Sequence, residues 1–372
     1  MSRLKSARKG QQLRVREMVI PYSLWPARKT KRWKVQRRLY VRDPWAMLNE
    51  AVYRTKGCRG QQRDEALAYI VQAEDYFNAA MRGDRPAVKP VLLYYSMLNI
   101  GKCLLKIRRP LLDMSHARHG LSIRHRTGWG ILGDEISVKG SGKYVNVFEE
   151  LMRELENSGP KFTRLAVREL LPQIVPGHRL WTYACQKKEK FLRVGISSFV
   201  NPGRRRIWLR LKFSRGEVLN TVSSIQDLIR HSHLPGKWRQ VTRNGSEDYV
   251  ILEQKRTGRY DHRPIDVVQG LYQQLRPALW YTVTASKPHR VYYVFIDTAL
   301  GRKRLPQWAS VYVLFYYLSD LTRYRPHLFD RLIAIKYGPL IENILDECPR
   351  QFLYLMASEL LQRDVAPAGI VV

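Results

Sequence analysis

Two histidines and two arginines stand close together in the chain: Arg109, His116, His119 and Arg124. Cleavage of RNA without a metal ion requires a base for the 2′-hydroxyl, an acid for the leaving oxygen and a cation for the charged phosphorane. Imidazoles near neutral pKa supply the first two roles, each contributing about 10²–10⁴-fold to the rate, and an arginine stabilises the developing charge. We therefore consider these four residues a candidate catalytic centre. The alternative is that His119 and Gly120 form a turn whose imidazole caps a helix or binds a carbonyl.

A second group of cations alternates along a predicted β-strand over residues 205–213. Because successive side chains of a strand point to opposite faces, one face is apolar and the other is basic with one aromatic residue. This composition suits phosphate contacts combined with base stacking. We predict a nucleic-acid-binding face made of Arg204, Arg205, Arg206, Trp208, Arg210 and Lys212. The alternative is an ordinary solvated strand face.

The N-terminal segment is the third cationic region. Residues 1–42 contain 14 Lys or Arg and a single acid, Glu17. Apolar and aromatic residues are interleaved with them, which is unusual for a purely disordered tail. We expect an extended arm that docks through its apolar side chains and presents its cations to nucleic acid, namely Arg28, Lys29, Lys31, Arg32, Lys34, Arg37 and Arg38. The alternative is a solvated tail.

Net charge is the strongest feature of the composition. The chain has 65 Lys plus Arg against 32 Asp plus Glu, which gives a formal charge of +33 and a pI near 10.3. A fold does not require this excess, which is typical of a chain that binds a polyanion. We expect nucleic acid, RNA or DNA; the alternatives are an acidic membrane surface and an acidic protein. The sequence lacks the motifs of P-loops, dinucleotide-binding turns and nucleophile elbows, and we expect no cofactor and no metal site.

Cysteine usage and hydropathy predict the compartment. The four cysteines, Cys58, Cys103, Cys185 and Cys348, include no CxxC pair, so we expect them to be reduced in a cytoplasmic protein. No apolar run approaches the roughly 18 residues of a membrane span. We therefore expect no insertion into a membrane.

A helical hairpin is the element that would position the histidines. Residues 88–109 are apolar almost all round apart from one polar stripe, with Pro90 at the start and Pro110 at the end. Residues 64–82 carry one apolar stripe at helical spacing, so 64–109 is predicted to be an antiparallel hairpin. Arg109 and the loop that contains both histidines follow at its C-terminal mouth.

The period of the hydrophobic pattern changes twice along the chain, from helical to alternating and back to helical. We therefore predict an α+β protein that is mostly helical, in which N- and C-terminal helices form one bundle around a mixed α/β insertion. The predicted regions are a basic arm (1–43), a helical region with a His/Gly loop (44–177), a mixed α/β region with the basic strand face (178–300) and C-terminal helices that complete the bundle (301–372).

Four blocks of sequence resemble the YaaC-like family of bacterial proteins, in the same order: Gln72–Phe77, Lys89–Asn99, His119–Ser122 and Tyr317–Pro326. The resemblance covers roughly residues 44–345. It implies a shared fold, whereas the biochemical role of that family is not settled.

The helical hairpin is also similar to HEPN domains. Many of these are metal-independent ribonucleases with an Arg-x(4–6)-His motif, many belong to toxin and antiphage systems, and others only bind or dimerise. Arg109 and His116 match the spacing, although Pro110 interrupts the helix on which that motif normally lies. The resemblance implies a HEPN-like bundle and a role in bacterial antiviral defence.

Three functions follow as expectations. The first is a nucleic-acid-binding subunit of a larger bacterial complex or defence system, with RNA ahead of DNA. The second is a HEPN-type ribonuclease that uses His116 or His119 with Arg109 or Arg124. The third is a scaffold without catalysis, whose charge docks an acidic protein or a second copy of the chain. We favour binding over catalysis.

Overall fold

A computed structural model describes residues 5–15, 18–28, 34–83, 85–126, 131–140, 142, 144–242, 248–297, 301–334 and 336–369. Within these residues the protein is α+β and mostly helical, which confirms the fold class predicted from the sequence. The helices are α1 (Pro44–Arg54), α2 (Gln61–Arg82), α3 (Lys89–Arg108), α4 (Val147–Glu156), α5 (Val167–Leu170), α6 (His178–Cys185), α7 (Arg215–Thr221), α8 (Ile225–His231), α9 (Pro264–Leu275), α10 (Gln307–Tyr324), α11 (Pro326–Ala334) and α12 (Gly338–Leu361).

The strands of the described residues are mostly short near the N-terminus and longer in the middle of the chain. They are β1 (Lys5–Ser6), β2 (Gln11–Gln12), β3 (Arg14–Val15), β4 (Met18–Val19), β5 (Ala27–Arg28), β6 (Lys34–Val35), β7 (Leu39–Val41), β8 (Leu121–Arg124), β9 (Glu135–Val138), β10 (Arg164–Ala166), β11 (Phe191–Asn201), β12 (Arg206–Ser214), β13 (Trp238–Thr242), β14 (Tyr249–Gln254), β15 (Gly258–Arg259), β16 (Leu279–Val283), β17 (Arg290–Phe295) and β18 (Val365–Pro367).

Contacts divide the described residues into two compact units. A sheet unit takes its residues from 1–40, 188–299 and 362–372, and a helical unit takes its residues from 41–187 and 300–361. The basic arm therefore groups with the sheet. So do the residues after α12, which the sequence analysis assigns to the helical bundle.

The hairpin of α2 and α3 forms the centre of the helical unit. Pro90 lies in the first turn of α3, and Arg109 follows its last turn directly before Pro110. Most of the circumference of α3 is buried, because α2, α4, α10 and α12 pack around it. The helices on both sides of the sheet insertion thus form one bundle.

The polar stripe of α3 faces α2. The Ser96 hydroxyl donates to the Ala73 carbonyl at 2.7 Å, and the Lys106 ammonium lies 2.7 Å from the Glu65 carboxylate. Both Ser96 and Lys106 are buried, so these contacts satisfy polar groups that would otherwise destabilise the fold. The stripe is therefore mainly a polar network between the two helices of the hairpin.

Helix α10 is the second helix that is buried nearly all round. Its Tyr312 and Tyr316 rings lie edge-on to Tyr94 of α3, with centroids 5.6 and 5.5 Å apart. Aromatic pairs of this geometry add about 0.5–1.5 kcal/mol each beyond the area they bury. The last turns of α10 carry Tyr316 and Arg323 toward the loop that precedes β8.

A small antiparallel sheet of order β10-β9-β8 follows the hairpin in the helical unit. Gly120, just before β8, has φ +84°, and an added Cβ there would overlap the Asn146 side chain. Asn146 caps the N-terminus of α4, where its Oδ1 accepts the Glu149 backbone N–H at 3.0 Å. The close approach of Gly120 to Asn146 therefore joins the loop that contains His119 to the N-terminus of α4.

The sheet unit is built on strands in the order β1-β13-β14-β12-β11-β17-β16, with β2 paired to β11 and β15 paired to β12. Strands β11 and β12 form the hairpin predicted from the sequence. The alternating apolar side chains of β12 are buried in a core that α7, α8 and α9 also line. Among the described residues, no helix combines the length and the apolar character that a bilayer crossing requires.

The N-terminal arm is part of this fold. Its apolar side chains belong to the core of the sheet unit: Leu13, Ile20, Tyr22, Leu24 and Trp25. Its strands β1 and β2 pair with β13 and β11. The prediction that the arm docks through its apolar residues is confirmed, and the alternative of a solvated tail is wrong for these residues.

Candidate functional site

His119 lies in the loop before β8 and is partly buried. Its Nδ1 accepts the Leu121 backbone N–H at 3.3 Å, and its ring packs against Tyr316 with centroids 5.0 Å apart. Because Nδ1 is an acceptor, the neutral imidazole carries its proton on Nε2. The alternative predicted from the sequence is a turn whose imidazole caps a helix or binds a carbonyl; the ring instead accepts a backbone N–H two residues further along the chain.

Burial lowers the pKa of His119, and the positive charges of Lys139, Arg323 and Arg118 lower it further. Both effects disfavour the imidazolium. The ring is thus neutral near pH 7, and its Nε2–H remains available to donate a hydrogen bond. The neutral ring has one basic nitrogen, Nδ1, and its lone pair already accepts the Leu121 backbone N–H. No lone pair is therefore free to abstract a proton from a substrate.

A cavity of about 650 Å³ opens beside His119 in the helical unit. The described residues that line it include three cations, two tyrosines and no carboxylate. They are Tyr95, Leu98, Lys102, Ala117, Arg118, His119, Gly120, Lys139, Gly140, Gly142, Tyr144, Val145 and Asn146. This composition produces a positive, partly aromatic concavity of the size typical of ligand sites, about 300–1,000 Å³.

Backbone hydrogen bonds fix the wall of this cavity. The Arg118 N–H donates to the Val145 carbonyl at 2.8 Å, and the Val147 N–H donates back to the Arg118 carbonyl at 2.9 Å. The Lys139 N–H donates to the Gly120 carbonyl at 2.9 Å. Two loops that are distant in sequence therefore hold the cationic residues beside each other.

Aromatic side chains orient two of the arginines around the cavity. The Arg118 guanidinium lies 3.8 Å from the Tyr144 ring centroid. Arg323 of α10 donates from Nη1 to the Tyr95 hydroxyl at 3.3 Å and lies 5.0 Å from the Tyr324 ring. Cation–π contacts of this kind hold a guanidinium without neutralising its charge.

The other three catalytic candidates do not join His119. Arg109 forms an ion pair with Glu150, and Arg124 is exposed on β8 opposite Glu135. His116 is exposed and is not among the residues that line the cavity; its ring centroid lies 6.3 Å from that of Tyr144. The predicted four-residue centre is therefore not assembled in this structure.

The basic strand face differs from its prediction at two positions. Trp208 is only 1% exposed, and its Nε1 donates to the Glu253 carboxylate at 3.0 Å. Arg210 contacts the same carboxylate at 2.9 Å. The arm causes this, because Gly10 packs against the Trp208 ring and the Arg8 guanidinium lies 6.0 Å from its centroid. The prediction that Trp208 and Arg210 belong to an open stacking face is wrong.

Glu253 is a buried carboxylate surrounded by arginines. Burial raises its pKa, but hydrogen bonds from Arg239 and Arg210 outweigh this and hold the pKa below its usual value. Arg8 contributes a backbone N–H at 3.3 Å and a guanidinium at 3.6 Å. These cations are part of the fold and are not presented to a ligand.

The remaining residues of the strand face are exposed. Arg204 and Arg205 lie in the turn between β11 and β12, and Arg206 begins β12. The antiparallel register places Arg206 directly opposite Arg259 of β15. Lys212 is also exposed, and its ammonium lies 3.4 Å from the Tyr249 ring centroid.

The predicted cations of the arm are described only in part. Lys29, Lys31 and Arg32 lie outside the described residues, and of Arg28 and Lys34 only the backbone is described, in β5 and β6. Arg37 is exposed, whereas Arg38 donates to the Pro288 carbonyl at 3.3 Å and lies 4.0 Å from the Asp364 carboxylate.

A buried polar cluster surrounds Asp134, and no local pattern in the sequence indicates it. The carboxylate accepts the Tyr317 hydroxyl at 3.1 Å and contacts His125 Nδ1 at 3.0 Å, while His125 Nε2 lies 3.4 Å from Asp320. Burial raises the pKa of Asp320, and His125 opposes that rise. Tyr317 and Asp320 lie in one of the blocks that carry the family resemblance.

Within the described residues, no group of His, Cys, Asp or Glu is arranged to hold a metal ion.

Comparison with known proteins gives one positive result. The model of a family described as YaaC-like Protein matches residues 27–360 of this chain. The match includes the α2–α3 hairpin, the cavity beside His119 and the β11–β12 hairpin. No curated protein and no solved structure matches the chain.

Proposed function

The chain belongs to the YaaC-like protein family, and from this premise and its cationic surfaces we propose that it binds nucleic acid, with single-stranded RNA ahead of DNA. The observation that carries the proposal is the hairpin-tip patch, defined as Arg204, Arg205, Arg206 and Arg259. All four side chains are exposed, and none forms an ion pair with another described residue.

The register of the hairpin-tip patch supports a polyanionic ligand. Like charges directly opposite each other on a ladder destabilise a sheet, and Arg206 faces Arg259 in this way. A phosphate bound between the two guanidinium groups would relieve that repulsion. Arginine also binds phosphate in a bidentate manner, so such a patch favours a phosphodiester backbone over a diffuse acidic surface.

The cavity beside His119 supports single-stranded RNA over a duplex. Its lining offers cations and tyrosines in a concavity of about 650 Å³, which suits one splayed-out nucleotide. Proteins that read RNA mostly use unpaired bases stacked on aromatic or guanidinium planes. A duplex keeps its bases stacked inside and cannot offer one to such a site.

The cellular context is proposed on similarity and on cysteine chemistry. The HEPN-like resemblance of the hairpin favours a subunit of a bacterial complex or antiphage defence system, by analogy. All four cysteines are free thiols, which favours the reducing cytoplasm.

Fluorescence anisotropy with labelled strands of one sequence tests the proposal. We expect single-stranded RNA to bind more tightly than single-stranded DNA, and both to bind more tightly than duplex DNA. Replacing Arg204, Arg205 and Arg206 with Gln is expected to weaken all three, because phosphate contacts carry no sequence information. A protein that binds none of them at low salt, yet shifts in light scattering on addition of an acidic protein, would instead favour the scaffold function.

A second candidate function is metal-independent RNA cleavage at His119, which is favoured only by its place in the cavity. Cleavage in the presence of EDTA that is lost in His119→Ala is the expected result for this function. Equal products from wild type and His119→Ala would contradict it. Because Nδ1 is occupied, Arg109 is paired with Glu150 and neither Arg109 nor Arg124 lines the cavity, we place this activity behind binding.

A further inference from the structure

We propose that the cavity beside His119 binds a nucleotide through a phosphomonoester, the terminal phosphate of a strand or of a free mononucleotide. This deepens the proposed function, and it rests on that function where the ligand is a strand end. The ligand is defined by two parts, a doubly charged phosphate and an attached nucleoside, and the cavity offers features that fit each.

The charge of the cavity exceeds what a phosphodiester requires. Three cations line it: Lys102, Arg118 and Lys139. A fourth, Arg323 of α10, donates a hydrogen bond to the hydroxyl of Tyr95, which is itself a lining residue. The described lining contains no carboxylate, so Lys102, Arg118 and Lys139 are not neutralised within it, whereas Arg323 interacts electrostatically with Asp320 of α10. A phosphodiester brings one negative charge, whereas a phosphomonoester brings about −1.5 to −2 at pH 7. The monoester is therefore the better electrostatic match.

The burial of Lys102 gives an independent indication of an anion. Burial lowers the pKa of this ammonium, and no described carboxylate forms an ion pair with it. Its contact within the helical unit is the Tyr69 ring, 5.4 Å from Nζ. A partly buried ammonium that lines a cavity without a carboxylate partner is stabilised when an anion enters.

Two of the uncharged side chains that line the cavity have a donor available. His119 donates from Nε2, because Nδ1 accepts the Leu121 N–H. The Tyr95 hydroxyl accepts from Arg323, which leaves its own hydrogen available. A phosphate dianion offers only acceptors, so it satisfies donors from the lysines, the arginine, the imidazole and the phenol together.

The remaining lining suits the nucleoside. Tyr144 is 40% exposed, with the Arg118 guanidinium stacked 3.8 Å from its centroid. Leu98 and Val145 add apolar surface. Base stacking on an aromatic ring tolerates any base, because every base has a π-face. The site is thus expected to select for the phosphate more strongly than for the base.

The test uses the full chain and one RNA sequence with three ends: 5′-phosphate, 3′-phosphate and hydroxyl at both ends. AMP and adenosine are titrated in parallel by calorimetry. We expect about tenfold or greater preference for one phosphorylated end over the hydroxyl form, since a hydrogen bond to a charged group discriminates by about that factor or more. AMP is expected to bind and adenosine to bind much more weakly.

Variants of the cavity must remove this discrimination. Lys139→Met and Arg118→Met are expected to abolish the preference for a phosphorylated end while general RNA binding persists. Lys161→Met, at an exposed lysine of the same unit, is the matched control and should retain the preference. Circular dichroism melting confirms that each variant is folded.

The outcomes separate the two proposals. Equal affinity for all RNA ends, with no AMP binding, overturns the cavity proposal and leaves nucleic-acid binding intact. AMP binding that needs the phosphate and is lost in Lys139→Met, without RNA binding, supports the cavity with a free nucleotide as ligand and overturns the proposed function. Loss of discrimination in Lys161→Met as well as Lys139→Met assigns the effect to general charge and overturns the cavity proposal.

Discussion

At the scale of single residues, the structure separates side chains that the sequence groups together. His119 lines a cavity, whereas Arg109 forms an ion pair with Glu150 and Arg124 is exposed on β8. The residue types alone indicate imidazole and guanidinium chemistry. They cannot show which nitrogen of His119 is free, because the Leu121 N–H that occupies Nδ1 is a property of the folded turn.

The pKa of His119 is the first prediction at this scale. Burial and neighbouring cations lower it below the ordinary value of about 6.5. The unfolded chain therefore binds a proton at a higher pH than the fold does. The contribution of His119 to stability is complete above about pH 6.5 and falls as the pH drops toward its folded pKa.

Proton NMR of the imidazole C–H signals, assigned by loss of one signal in His119→Gln, measures this pKa directly. We expect a titration midpoint below 6.5, and a smaller loss of stability on acidification in His119→Gln than in wild type. A midpoint at or above 6.5 in the free protein would show that the cavity is less positive and more open than its geometry indicates.

The buried carboxylate of Glu253 carries the second prediction. Glu253→Gln removes the charge that Arg210 and Arg239 contact at 2.9 and 2.8 Å. Removing one partner of a buried pair typically lowers the free energy of unfolding by about 3–5 kcal/mol. Urea unfolding measures the change. Glu50→Gln, which breaks the exposed pair with Arg54, is the control, with an expected change below about 1 kcal/mol. Similar values for the two variants would be evidence against the account of the Glu253 cluster.

At the scale of elements, the sequence predicts those whose pattern is local. Helix α3 between its prolines and the β11–β12 hairpin follow from hydrophobic period and turn residues. The burial of Trp208 does not, because it depends on residues 8–10 of the arm packing across a strand about 200 positions away. The Asp134 cluster is similar: its Tyr317 comes from α10, far along the chain.

Substitution of Gly120 tests how the loop before β8 packs against α4. This glycine joins the loop to α4 in a left-handed conformation, and a Cβ would overlap Asn146. We expect Gly120→Ala to lower the free energy of unfolding by more than 1 kcal/mol, since both strain and a displaced helix cap contribute. Thermal melting measures this loss. Gly216→Ala, where a Cβ meets open space in the sheet unit, is the control and should change stability little; an equal loss there would refute the packing argument.

For the whole molecule, the net charge can be counted from the sequence, and the structure shows which of the cations are exposed. Part of the excess of cations is internal, as at Arg210, and part is exposed, as in the hairpin-tip patch. Composition cannot distinguish the two, because an arginine on a buried carboxylate and an arginine in solvent contribute equally to net charge. Only the exposed part can release counterions from a polyanion.

The salt dependence of RNA binding is the most direct measure of whether the exposed cations bind a polyanion. Affinity for a single-stranded RNA is measured between about 50 and 200 mM salt, where each phosphate contact contributes about −0.7 to the slope of log K against log salt. We predict a steep negative slope that becomes shallower by about two units when Arg204, Arg205 and Arg206 are replaced by Gln. The charge-matched control replaces Lys56, Arg82 and Arg85, exposed cations of the helical unit, and should retain most of the slope. An affinity that does not change with salt would contradict the proposal that exposed arginines bind the phosphates of RNA.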